Sequence, residues 1–280
     1  MSFWRWSVRT ATTWVLALLM AAPTWADTVG GVPVLIYHEI GNDAKAPGET
    51  VMPMAIFAQQ MQYLAENGYT TISVDQLVSH MRWGTKLPRR PIVLTFDDGW
   101  KNVLNAVPVL DLYGFKASFW IITGKGIGYD YLEWADIERL AHHPGFEVYS
   151  HTVSHPWDRT DNLVTWTEGA VPGKGEREAY ADLADARTEL MSRLHRPQPY
   201  LAWPCGWYNE RLIQMAHDTG YTALFTAEDG LNVSGGDVLR IKRTFIDGAC
   251  SLADFAKSVS DGHYRACQTA SPPTLGHRPY

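Results

Sequence analysis

The chain reads as a parallel α/β fold whose strand ends carry a metal site. Strand-like and helix-like segments alternate along most of its 280 residues, the pattern of βα units and a parallel sheet. One short apolar run, Pro91-Ile92-Val93-Leu94, leads into Thr95-Phe96-Asp97-Asp98-Gly99. A second, Phe146-Glu147-Val148-Tyr149, leads into His151-Thr152-Val153-Ser154-His155. Parallel α/β proteins gather reactive groups at the C-terminal ends of their strands, and both polar motifs fall at such ends. A closed barrel and an open doubly wound sheet both obey that rule.

Each element has its own signal. Val34-Leu35-Ile36-Tyr37 is an apolar strand-like run that ends at His38. Residues 56–66 carry Phe57, Met61 and Leu64 at helical spacing and stop at Gly68. A strand over 70–72 and a short helix over 74–81 follow. The strand at 92–96 precedes a helix around 102–112, and the strand at 117–122 precedes a helix over 134–141. After the strand at 146–150 comes a polar insertion, 156–175, expected as a loop over the site or as plain surface. A long helix over 178–194 leads to a strand at 201–203. A helix over 210–218 and strands at 223–225 and 241–245 complete the alternation. The tail beyond His263, rich in Pro, Ser and Thr, is expected to be irregular.

Two imidazoles and a carboxylate form a familiar ligand set for a catalytic divalent metal, with a coordination position left for water. Asp98, His151 and His155 supply that set. Zinc is the first expectation, and nickel, cobalt or iron suit the same donors. The second carboxylate, Asp97, is then spare to act as a base, which points to metal-assisted hydrolysis. Either motif alone would be unremarkable as a turn, a cap or a core histidine. Their joint placement at two strand ends is what carries the reading.

Together the two motifs resemble the NodB-type polysaccharide deacetylases, carbohydrate esterase family four, and within it the poly-N-acetylglucosamine deacetylases of biofilm systems. The resemblance runs from about residue 33 to about residue 259 and includes Val34 to His38, the Phe57…Leu64…Gly68-Tyr69 segment and Ala202-Trp203-Pro204-Cys205-Gly206. It implies a distorted (β/α)7 barrel. It also implies removal of N-acetyl groups from an acetylated polysaccharide, with Asp97 as general base and Asp98, His151 and His155 on the metal. The backbone N–H of Cys205 would bind the oxyanion. Trp203, Pro204, Gly206, Tyr208 and His38 would contact substrate, although His38 could equally be structural. The sequence departs from the family where Ala202 replaces an Arg that orients the base. Arg243 is the expected replacement, with Arg240 second. No general acid is evident. Two alternatives stay open: hydrolysis of another acyl group on the same fold, and a catalytically dead carbohydrate-binding protein.

Composition sets further bounds. A net charge of -6 argues against a nucleic-acid partner, because a phosphate backbone calls for a basic surface. The 12 Trp are enough both to fill a core and to line a sugar groove. Arg5 and Arg9, an apolar stretch over 11–22 and Thr24-Trp25-Ala26 read as an export signal over 1–26. The expected mature domain is 27–280, periplasmic or secreted, with no stable membrane span after cleavage. Of the 3 Cys, Cys250 and Cys267 are near enough in sequence to pair, leaving Cys205 free; three reduced thiols are the alternative.

Overall fold

A computed structural model describes residues 30–41, 45–124 and 130–267. The expected signal segment lies outside these residues. Along the chain run β1 (Val34–Tyr37), β2 (Glu39–Ile40), β3 (Val51–Met52), α1 (Met54–Glu66), β4 (Thr70–Thr71), α2 (Val74–Trp83) and β5 (Pro91–Phe96). A 3-10 turn (Lys101–Ala106), α3 (Val107–Tyr113), β6 (Ala117–Ile121), α4 (Trp134–His142) and β7 (Phe146–Ser150) follow. The last part holds α5 (Leu163–Thr167), α6 (Glu176–Leu194), β8 (Tyr200–Ala202), α7 (Glu210–Asp218), β9 (Ala223–Phe225), β10 (Thr244–Phe245) and α8 (Leu252–Asp261).

The main sheet is parallel throughout, in the order β10-β1-β5-β6-β7-β8-β9, with β4 beside the start of β5. Its two edges meet through one segment. Ile241 bridges Phe225, while Thr244 and Phe245 pair with Leu35 and Ile36. The result is a seven-stranded ring with helices outside, the distorted (β/α)7 barrel. Elsewhere in the ring, β7 and β8 share a single register pair, Ser150 with Leu201.

Strand periodicity divides the core in two. Val34, Val93, Trp120, Tyr149, Tyr200, Ala202, Phe225 and Ile241 pack together inside the ring, against Val74, Leu77 and Met81 of α2. Their sequence neighbours Leu35, Leu94, Phe119 and Val148 face outward under α1, α3 and α4, and Leu201, Trp203 and Leu224 face outward under α6 and α7. Helix α2 starts from a Ser73–Gln76 capping box. It covers the end of the ring where the strands begin: the Val74 N–H donates to Glu147 near the start of β7 at 2.8 Å. The opposite mouth, where the strands end, holds both polar motifs.

Three expectations need correction. The 102–112 segment is not one helix, because Pro108 cannot donate its missing N–H to a carbonyl one turn back; a 3-10 turn precedes α3. The 156–175 insertion is not a bare loop. Asn162 caps α5, whose Leu163 and Trp166 are buried in the layer formed by α6 and α7. Most of the 241–245 strand reduces to a bridge at Ile241 and the two residues of β10. Among the described residues no helix is long and apolar enough to cross a membrane.

Cys250 and Cys267 form a disulfide across a separation of 17 residues, and Cys205 stays outside it. The unfolded, unreduced protein should therefore titrate one thiol, and the reduced protein three. Cys250→Ser should cost about 3 kcal/mol of stability from the released loop. Three titratable thiols before reduction would contradict the pairing.

Candidate active site

Asp97 and Asp98 come from the end of β5 but do not diverge as strand neighbours would. Asp97 keeps the inward direction of Val93 and Thr95. At Asp98 the backbone turns left-handed (φ 71) and Gly99 follows at φ 78, which swings the second carboxylate back into the mouth. Both carboxylates thus approach one imidazole. His151 Nε2 lies 3.7 Å from Asp97 Oδ2 and 3.5 Å from Asp98 Oδ1. His155 Nε2 lies 3.4 Å from the same Asp98 oxygen.

Asp98, His151 and His155 offer ligand atoms that all fall within 4.8 Å of one another. The donor set fits a divalent metal on an observation of its own. Asp98 Oδ2 accepts from Trp100 Nε1 at 2.9 Å, whereas Oδ1 is buried without a hydrogen-bond partner and points at the two imidazoles. A buried carboxylate oxygen left so costs free energy unless a cation answers it. His151 Nδ1 lies 2.8 Å from the Ala202 carbonyl oxygen. A carbonyl only accepts, so Nδ1 carries the proton and Nε2 keeps its lone pair for a ligand. Burial by itself would raise both carboxyls. For Asp98 the surrounding imidazoles overcome it and hold the group far below the usual range.

Arg243 reaches Asp97 from the segment that closes the ring. Its Nη1 donates to Oδ1 at 2.8 Å and its Nη2 to Oδ2 at 2.9 Å. Nε donates to the Thr226 carbonyl at 2.8 Å, and the guanidinium stands 5.8 Å from the centre of the Trp120 ring. The pair is almost fully enclosed, Arg243 at 1% and Asp97 at 3% exposure. Burial pushes the Asp97 carboxyl up, but the guanidinium and then His151 pull it down further, leaving it below its ordinary value. Arg240 is elsewhere, paired with Asp237 and Glu210 at the surface.

The third motif is only partly at the mouth. Cys205 (φ 53) and Gly206 (φ 73) make a tight left-handed turn. A Cβ at Gly206 would sit 2.5 Å from that of Ala227, so only Gly fits. Trp203 is corrected: it is fully buried between the sheet and α7, stacked on Tyr208 at 6.2 Å, and faces no groove. Strand parity is the reason, because Ala202 takes the inward position. Pro204 is buried in the same turn. Tyr208 is half-buried and its hydroxyl donates to Glu228. His38 is buried at the end of β1, stacked on Phe245 at 5.6 Å, and its Nδ1 has no hydrogen-bond partner.

Two supports escaped the sequence reading. Trp100 holds Asp98, as above. Asp182 of α6, buried, accepts from the Ser154 N–H at 3.0 Å and so ties down the loop between the two histidines. That loop has left-handed residues at Thr152 (φ 68) and His155 (φ 44).

Arg243→Ala should lower kcat by roughly two orders of magnitude through loss of alignment. With burial no longer opposed, the Asp97 carboxyl rises, and the acid limb of the kcat/KM profile should move to higher pH. Arg243→Lys should recover little, because Lys lacks the planar fork. An unshifted profile in Arg243→Ala would remove Arg243 from the site. Asp182→Ala should weaken zinc affinity, read with a competing chelator, by about 10- to 100-fold; wild-type affinity would show that the loop holds itself.

Residues 84–224 match the family described as polysaccharide deacetylase. YxkH of Bacillus subtilis, assigned to the polysaccharide deacetylases, is 30% identical over 203 residues, 71% of this chain and 65% of that protein. The poly-beta-1,6-N-acetyl-D-glucosamine N-deacetylase of Escherichia coli K12 is 25% identical over 274 residues, 86% of this chain and 40% of that one. The chain spans less than two thirds of either relative. The structure of IcaB from Ammonifex degensii shares the fold with a TM-score of 0.69 at 23% identity, covering 83% of this chain and 97% of that one. The family match covers half of the sequence and takes in the strands that end at Asp97 and at His151, and the chain belongs to the polysaccharide deacetylase family.

Proposed function

We propose that this protein is an exported, metal-dependent hydrolase that removes N-acetyl groups from a polysaccharide containing N-acetylglucosamine. The observation that carries the reading is the division of labour between adjacent carboxylates. Asp98 joins the two histidines, while Asp97 is held off that group by a two-pronged contact with Arg243. A binding protein has no use for an ionised carboxylate fixed beside such a ligand set.

A divalent metal held by Asp98, His151 and His155 would make water more acidic and polarise the acetamide carbonyl. Asp97 is the group that accepts the water's proton, and Arg243 keeps it ionised and oriented until then. The Cys205 N–H, presented by the left-handed turn of Cys205 and Gly206, serves the developing oxyanion. His38 is buried at the end of β1, and its Nδ1 has no hydrogen-bond partner. It is the candidate to give a proton to the leaving amine. The E. coli relative makes β-1,6-linked poly-N-acetylglucosamine the first polymer to test, and the 1–26 segment supports action outside the cytoplasm.

The test is acetate release by the purified protein from N- and O-acetylated glycans, before and after a chelator and with zinc, cobalt, nickel or iron restored. Release from N-acetylated oligomers should stop with the chelator and return with metal. Asp97→Asn should keep about one metal per chain and lose two to four orders of magnitude in kcat, the usual range for a general base. Chelator-resistant turnover, or full activity in Asp97→Asn, would overturn the reading.

A further inference from the structure

Beside the metal-ligand group the chain seats one of its own ammonium groups. Lys45 Nζ lies 2.6 Å from Glu39 Oε1 and 4.9 Å from the centre of the Trp100 ring. Trp100 is the residue whose Nε1 donates to Asp98 Oδ2, so a single indole separates this ammonium from a carboxylate of the proposed metal site. Glu39 is held from several sides. Its backbone is fixed by the β2–β3 ladder, and its Oε2 accepts from Asn102 Nδ2 at 3.1 Å. Trp100 is fixed on its stack with Tyr131, ring centres 4.5 Å apart. Only the cation is loosely attached: the Lys45 side chain is 50% exposed, the Glu39 side chain 5%.

We propose that Glu39 and Trp100 form a subsite for the ammonium of a glucosamine unit that adjoins the acetylated unit at the metal site, and that Lys45 fills this subsite in the free protein. The proposal rests on the reading of that site as a glycan N-deacetylase. A carboxylate beside an aromatic face is the pairing that selects ammonium groups. A buried carboxylate favours a cation over a neutral group beside it, and the Glu39 side chain is only 5% exposed. Lys45 supplies that cation from the surface at the cost of ordering a long side chain. A rigid sugar ammonium pays less of that entropy and can displace it. An acetamido group is neutral and gains nothing from Glu39. The subsite therefore prefers chains in which the neighbouring sugar has already lost its acetyl group, which is the product of the reaction next door.

Isothermal titration of the metal-loaded full chain in an Asp97→Asn background, otherwise wild type or carrying the variants below, tests this without turnover, using a glucosamine pentasaccharide and its fully N-acetylated counterpart. The wild type should bind the glucosamine oligomer about fivefold more tightly, a gain within the range of one cation–π contact and one partly exposed ion pair. Lys45→Met, a surface change, should widen the preference by removing the competitor. Glu39→Gln, and the double variant with Lys45→Met, should abolish it. Glu133→Gln makes the same charge change at the partner of Lys101 and should leave it intact. Equal binding of both oligomers by the wild type and Lys45→Met would overturn the proposal, even if Glu39→Gln failed to fold. So would a preference that survives Glu39→Gln or falls equally in Glu133→Gln. Acetate release from the acetylated oligomer, followed in parallel with Asp97 intact, separates failure of the subsite from failure of the catalytic reading.

Discussion

The buried pair of Asp97 and Arg243 is the interaction on which both the fold and the site depend. Asp97 extends β5, and Arg243 lies on the segment that joins β9 to β1 and closes the ring. Backbone hydrogen bonds at Leu224, Thr226, Ile241, Arg243 and Ile246 carry that seam, and the side-chain fork spans the mouth beside them. Two charges taken out of water recover little net stability even when well paired, and an apolar pair of similar volume would serve closure as well. What an apolar pair cannot do is keep a carboxylate ionised in a dry cavity. Breaking the fork from either side leaves a lone buried charge, a loss of about 3–5 kcal/mol, which links the ring's integrity to the state of the proposed base.

Backbone strain gathers at the same mouth. Six described residues other than Gly have left-handed backbones, and Asp98, Thr152, His155 and Cys205 are four of them. Such conformations cost on the order of 1–3 kcal/mol each and persist where the surroundings leave no alternative. Here the restraints are visible. Trp100 pins the Asp98 carboxylate, Asp182 and Thr152 Oγ1 hold the histidine loop, and the Gly206 N–H donates back to Trp203. A strand that ends normally would send alternate side chains to opposite faces. The left-handed residue after each strand is what turns neighbouring groups toward one point.

The legible parts of the fold were those set by local pattern. The strands at Val34–Tyr37, Phe146–Ser150 and Ala223–Phe225 and the helix at Glu210–Asp218 all carry short-range signals that no distant contact overrides. Helix α5 was hidden because its two core residues, Leu163 and Trp166, sit in a polar stretch and bury only once α6 and α7 are in place. The two-residue strands β2 and β3 gave no pattern long enough to read, whereas helix α8 carries cap signals at Ser251 and Gly262 that escaped the sequence reading. Trp203 was misread because its motif was treated as a unit, whereas strand parity sends neighbouring side chains to opposite layers. Asp182, Glu39 and Trp100 act through contacts to other groups around the site; Trp100 and Glu39 directly follow Gly99 and His38, whereas nothing near Asp182 in sequence marks it.

Arg243 was traceable because a family position stood empty at Ala202. Ala202 and Arg243 both belong to the inward set of the ring, one on β8 and the other on the closing segment beyond β9. A guanidinium from the second position meets Asp97 across the seam. That route constrains the proton chemistry on the proposed reading. Each carboxylate oxygen has two lone-pair directions, and the fork occupies one on each oxygen of Asp97. Oδ1 also shares Nη1 with the Thr95 hydroxyl, 3.4 Å from that nitrogen. Oδ2 is the oxygen turned to His151, so its remaining direction faces the ligand group. On that reading a proton arrives at Oδ2 while Oδ1 stays with the guanidinium, and the base can change its charge state without letting go of the arginine that orients it.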